Sequence, residues 1–205
     1  MTSFDVKAND ILLVIDVQND FCDDGALAVP DGDAVVPSIN ELMQRFSHIA
    51  LTQDWHPPGH SSFASSQNEA EPFSTIEMPY GDQTLWPDHC IQGSSGANFH
   101  DALVTSSADV IIRKGYRKSI DSYSAFYEND RSTPTGLNGY LKERGIERVF
   151  CCGLATDFCV RFSAEDACAC GYETFVIEQA CRGIDMDGSV DAALAAIQEA
   201  GAVIV

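Results

Sequence analysis

The feature that most constrains this chain is a rhythm. Short apolar, β-branched runs alternate with amphipathic stretches along most of its 205 residues. Strands are expected over 11–16, 48–52, 110–114, 148–153, 174–178 and 202–205. Helices are expected over 33–46, 136–144, 157–170 and 188–200. The last of these reads SVDAALAAIQEAG, with Ala193, Ala196, Ile197 and Ala200 on one face and Gly201 placed to cap its C-terminus. Alternation of this kind implies parallel strands joined by helical crossovers. The expected fold is therefore α/β, an open, mostly parallel six-stranded sheet with helices on both faces, in one domain over 1–205.

One stretch breaks the rhythm. From about residue 55 to 107 the chain is polar, rich in Pro, Ser and Gly, and without clear periodicity. It nevertheless carries both tryptophans and four of the five histidines, residues that disordered segments rarely hold. An ordered excursion that forms part of a site is the expectation.

Charge and cysteine usage exclude several classes of function. With 31 acidic against 12 basic residues, the net charge of −19 repels nucleic acid and anionic membrane surfaces, so neither is expected as a partner. There is no apolar run of about 18 residues to span a bilayer. The N-terminal ILLVI run is too short for a secretory signal and reads as a strand. Eight cysteines lack any C-x-x-C spacing, which suits free, mostly buried thiols in a reducing cytoplasm.

In an open parallel sheet, ligands bind beyond the C-terminal strand ends. Those ends deliver Asp16, then Gln53-Asp54-Trp55-His56, then Arg113-Lys114, then Gly153 with Cys159 shortly after it. In GLATDFCV, Thr156 or Asp157 is a plausible N-cap, which puts Cys159 in the first helical turn. Free N–H groups and the helix dipole there favour a thiolate and can bind an oxyanion. Asp16 is placed to take the thiol proton and Lys114 to hold both anions, provided their strands lie close together. Asp54 and His56, with His60 and His89 further on, supply carboxylate and imidazole ligands suited to Zn²⁺, Fe²⁺ or Mn²⁺. Spacing alone does not locate His89, and His60 reads as a supporting or loop residue rather than a ligand.

Five segments together carry a resemblance: LLVIDVQNDFC (12–22), TQDWHPPGHSSFAS (52–65), YGDQTLWPDHCIQGS (80–94), RKG with DSYSAF (113–126), and CGLATDFCVRFSAEDA (152–167). In this order they resemble the nicotinamidase/pyrazinamidase members of the isochorismatase-like cysteine hydrolases. The resemblance implies a catalytic triad of Asp16, Lys114 and Cys159, and one divalent metal ion, Zn²⁺ foremost, on Asp54, His56 and His89. It also implies an oxyanion hole from the amides of Ala155 and Cys159, beside a cis peptide between Leu154 and Ala155, and a pocket lined by Phe21, Trp86 and Tyr123. The implied activity is deamidation of nicotinamide to nicotinate through a thioester, in NAD salvage, with pyrazinamide as a second substrate; homo-oligomers also occur in the family. On residues alone, an amidase for ureido or carbamoyl substrates, a non-haem iron oxygenase and a non-catalytic binder are the competing readings.

Overall fold

A computed structural model describes residues 4–205. Its strands in chain order are β1 (Asp10–Ile15), β2 (His48–Asp54), β3 (Thr75–Met78), β4 (Gly81–Thr84), β5 (Val110–Lys114), β6 (Arg148–Leu154), β7 (Glu173–Arg182) and β8 (Val203–Ile204). The helices are α1 (Val35–Met43), α2 (Leu137–Glu143), α3 (Arg161–Ala169) and α4 (Ser189–Glu199). Six strands make one sheet in the order β5-β2-β1-β6-β7-β8, and every neighbouring pair is parallel. The expected α/β architecture is what the chain forms, with no antiparallel strand in this sheet.

The burial of β1 explains why it is central. All six residues, DILLVI, are buried, because both faces of the strand are covered. From β1 the chain steps to β2 on one side, whereas β6, β7 and β8 lie on the other. Right-handed crossovers running in opposite directions put α1 on one face and α2, α3 and α4 on the other. Helix α1 buries Val35, Val36, Ile39, Leu42 and Met43. Nearby, Phe4 and Phe175 stack on either side of Phe150, with ring centroids 4.9 and 4.5 Å away. Among the described residues, no helix is long and apolar enough to cross a membrane.

Element ends depart from the sequence expectation where tertiary pairing overrides local pattern. Strand β7 continues to Arg182 rather than stopping at 178, because its register against β6 jumps between Cys151 and Gly153 and pairing then resumes. The exposed Glu178 and Gln179 in that jump interrupt the apolar pattern. The expected helix over 157–170 begins only at Arg161, since Thr156–Val160 winds as a π-helical turn. The irregular excursion contains an antiparallel hairpin of β3 and β4, which periodicity did not reveal.

The strand order diverges at β1 and β6, so the crevice beyond their C-terminal ends is the natural ligand site. Gly153 permits their close approach. Its φ is +116°, and a Cβ there would lie 2.1 Å from the Ile15 carbonyl oxygen. Gly153→Ala is therefore expected to destabilise the fold by at least about 2 kcal/mol, combining left-handed strain with a backbone clash. Urea denaturation of the two proteins checks this; an unchanged midpoint would contradict it.

Candidate functional site

Asp16 follows β1 directly and turns the chain with a φ of +49°, a conformation aspartate tolerates better than most residues. The Thr52 hydroxyl on β2 donates to its Oδ1 at 2.6 Å and accepts its backbone N–H at 3.1 Å. Lys114 ends β5, which is separated from β1 by β2. The two strands are thus not neighbours, and it is the length of the lysine side chain that spans the gap. Its Nζ lies 2.7 Å from Asp16 Oδ2.

The Lys114 ammonium has three hydrogens and uses each. It donates to Asp54 Oδ1, to the Ser122 carbonyl at 2.9 Å and to Cys159 Sγ at 3.4 Å. Asp16 Oδ2 is left within ion-pairing distance but outside hydrogen-bond geometry, a buried carboxylate oxygen with an open acceptor position. Cys159 Sγ lies within 4.8 Å of the Asp16 carboxylate, and that acidic neighbour favours the protonated thiol.

Protonation follows from burial and these contacts. Burial opposes the charge on Lys114, yet Asp16 and Asp54 outweigh it and hold the ammonium well above its usual pKa. Burial likewise opposes the Asp54 carboxylate, but Lys114 and His56 keep it well below the usual range. Asp16 goes the other way: burial, reinforced by Asp54, raises its pKa despite Lys114. Burial also pushes the Cys159 thiol well above its ordinary value, and Lys114 only partly offsets this.

That last shift corrects the expectation of a thiolate favoured by a helix start. Cys159 is buried among acids, and it sits fourth in the π-helical turn rather than in the first turn of an α-helix. Neither Thr156 nor Asp157 is the N-cap; Ala155 precedes the turn, and no side chain caps it. The Asp157 carboxylate instead accepts the N–H groups of Ile184 and Asp185 and the Ser189 hydroxyl, fastening the loop before α4.

The other face of Asp54 meets the histidines. Asp54 Oδ2 lies 3.4 Å from His56 Nε2 and 3.8 Å from His89 Nε2, so the three candidate ligands converge. His56 Nδ1 faces the Gly115 carbonyl at 2.9 Å and His89 Nδ1 faces the Pro87 carbonyl at 2.8 Å. A carbonyl can only accept, so each Nδ1 carries a proton and each Nε2 is turned towards Asp54, free to act as a ligand when the imidazole is neutral. His60 is wired differently. Its Nδ1 contacts Ser62 Oγ at 2.7 Å, and its Nε2 faces the Arg117 and Ile120 carbonyls. Both nitrogens are engaged, and burial lowers its pKa.

Between the Cys159 thiol and His89 opens a small pocket. Phe21, Trp86 and Tyr123, singled out from sequence, all line it, as do Asp54, His89, Ala155 and Cys159. The Leu154–Ala155 peptide is cis. Phe158 and Asp121 also line the pocket and were not anticipated. The signal for both was their place inside quoted segments, Phe158 next to Cys159 and Asp121 two residues before Tyr123. Gln18 was missed as well; its side chain ties the ends of β1 and β2 by accepting from Asp54 N and donating to Asp54 O.

Comparison with known proteins places the chain in a family. Residues 10–205 match the isochorismatase domain. The chain is 54% identical to the nicotinamidase of Acinetobacter baylyi over 182 residues, 89% of this chain and 85% of that one. A solved nicotinamidase/pyrazinamidase of Acinetobacter baumanii superposes with a TM-score of 0.96 at 52% identity, covering 97% of this chain and 96% of the other. PnC1 from L. infantum, solved in complex with nicotinate, superposes with a TM-score of 0.87 at 37% identity over 98% and 95% of the two chains. On its fold, its converging site and these likenesses, the chain belongs to the isochorismatase family, in its nicotinamidase/pyrazinamidase branch.

Proposed function

We propose that the whole chain acts as one catalytic domain, a metal-containing cysteine amidohydrolase that deamidates nicotinamide to nicotinate and ammonia. One observation carries the assignment of residues. Cys159, backed by Lys114 Nζ and the Asp16 carboxylate behind it, lines an aromatic pocket together with Asp54 and His89. Pyrazinamide, a ring analogue with the same carboxamide, fits the same scheme. Free thiols at all eight cysteines favour a reducing compartment, so we place the reaction in the cytoplasm and in NAD salvage.

In this reading the ring lies among Phe21, Trp86 and Tyr123, with its carboxamide carbon against Cys159 Sγ. Asp16, whose raised pKa gives it affinity for a proton, takes the thiol hydrogen as sulfur attacks. Lys114 keeps the sulfur and both carboxylates in one electrostatic unit as charge moves among them. The amides of Ala155 and Cys159 donate to the oxyanion. Asp16 returns the proton to the departing nitrogen, and ammonia leaves. Asp16 then activates water, which hydrolyses the thioester and frees nicotinate.

The ligand set Asp54, His56 and His89 suits a divalent ion, because both imidazoles are held through Nδ1 and turn Nε2 towards a carboxylate oxygen. Zn²⁺ is the ion we favour, with Fe²⁺ and Mn²⁺ compatible with the same donors. When bound, it supplies a Lewis-acid anchor for the pyridine nitrogen and so orients the ring.

Ammonia release from nicotinamide, with and without a chelator, tests the assignment; an inert metal-loaded enzyme would overturn it. Cys159→Ala is expected to lower kcat by about 10⁴-fold or more, since the covalent route is lost. Asp16 must be ionised to accept the thiol proton. Activity should therefore fall as pH drops through its raised pKa, with an acid limb above the usual aspartate value of about 4. An acid limb at or below that value in the pH profile of kcat/KM would contradict this role. Gly115 gives a separate check on the metal. A Cβ there would lie 2.5 Å from His56 Cε1, and the residue has a φ of +64°. Gly115→Ala should displace the imidazole and weaken metal binding by about 10–100-fold, read by competition with a chromophoric chelator.

A further inference from the structure

The hairpin of β3 and β4 lies outside the main sheet, yet one of its side chains reaches the back of the pocket wall. Gln83, on β4, is completely buried and does not itself line the pocket. Its amide nitrogen lies 2.8 Å from the Tyr123 hydroxyl, 2.9 Å from Asp121 Oδ2 and 2.7 Å from the Thr84 carbonyl. Its amide oxygen accepts from the Tyr80 hydroxyl and from Asn129 Nδ2, each at 3.1 Å. Asn129 in turn accepts the Tyr123 backbone N–H through Oδ1 at 3.0 Å.

The Tyr123 hydroxyl is where this network meets the pocket. It accepts from Gln83 and, at 3.3 Å, from Trp86 Nε1. Trp86 and Tyr123 stand edge-on, and Trp86 stands edge-on to Phe158, with centroids 6.2 and 4.8 Å apart. These three rings make up much of the aromatic wall. Hydrogen bonds from Gln83 and Trp86 determine where the hydroxyl sits, and so set the tilt of two of the rings.

We propose that Gln83 is a positioning residue for ring selection, holding Tyr123, and through it Trp86, at the width one unsubstituted pyridine ring requires. The inference rests on the nicotinamidase reading above and adds a determinant of substrate fit to it. It differs from a purely structural role for the hairpin in one measurable respect. A structural brace would, when lost, lower turnover of all ring substrates alike. A positioning brace acts on ground-state fit and discriminates between rings.

The test uses the metal-loaded enzyme with nicotinamide and 5-methylnicotinamide. Gln83→Met keeps the side-chain length and removes every hydrogen bond, and Gln83→Leu removes them with a shorter side chain. Both should raise KM for nicotinamide by about tenfold, the worth of one or two lost hydrogen bonds, with kcat within about threefold. The preference for nicotinamide over the methylated ring should narrow by a similar factor. Adding Gln83→Met to Tyr123→Phe should cost less than the product of the two single losses, because the Gln83–Tyr123 hydrogen bond is counted in both. Should Gln83→Met fail to fold, Gln83→Leu carries the same readings. Unchanged KM and preference in a folded variant, or losses that multiply in the double variant, would overturn the positioning role while leaving the activity intact. An inert wild type would overturn both.

Discussion

A lysine ammonium with no solvent exposure is the interaction on which the rest of the site depends. Burying an ion without partners is prohibitively costly, so Lys114 has to be met by anions and acceptors in three directions. Asp54, Ser122 and Cys159 take its hydrogens, and Asp16 takes its charge. Because those groups come from different strands and loops, satisfying one cation requires the whole edge of the sheet to be in place. Removing one member of such a buried set typically costs about 3–5 kcal/mol. The catalytic geometry is in that sense enforced by folding.

Asp54 extends the unit from acid–base chemistry to ion binding. One carboxylate oxygen serves Lys114 and the other faces His56 and His89. Its low pKa keeps it charged for both tasks, whereas Asp16, buried and beside Asp54, is pushed towards holding a proton. Two aspartates at neighbouring strand ends therefore take opposite roles, and environment alone separates them. Carbonyls of Gly115 and Pro87 complete the arrangement by holding both imidazoles in the tautomer a metal needs.

The excursion after β2 supplies what the sheet edge cannot. It brings in His56, Trp86 and His89, and it is fastened to the β1 end by Asn19 N–H to Asn98 O, Asp20 N–H to Gly96 O and Cys90 N–H to Asp20. Few of these contacts are periodic, and most use backbone groups. A long irregular segment can be this ordered when its polar groups find fixed partners rather than water.

Much was legible in the sequence, for a physical reason. Strand cores such as ILLVI and RVFCCG state their own burial, and strand ends in a parallel sheet share one edge, so Asp16, Asp54, Lys114 and Cys159 could be gathered before any contact was known. His89 could be placed only by resemblance, because position along an irregular segment does not encode distance. Tertiary structure alone decided the ionisation of Cys159. A helix start favours the thiolate, but burial among two carboxylates opposes it more strongly, and those carboxylates come from distant strands. It also decided that β2 lies between Asp16 and Lys114, and that Gln83 is buried behind Tyr123. Local pattern determines which residues turn inward; only the assembled fold determines which charges and hydrogen bonds they meet there.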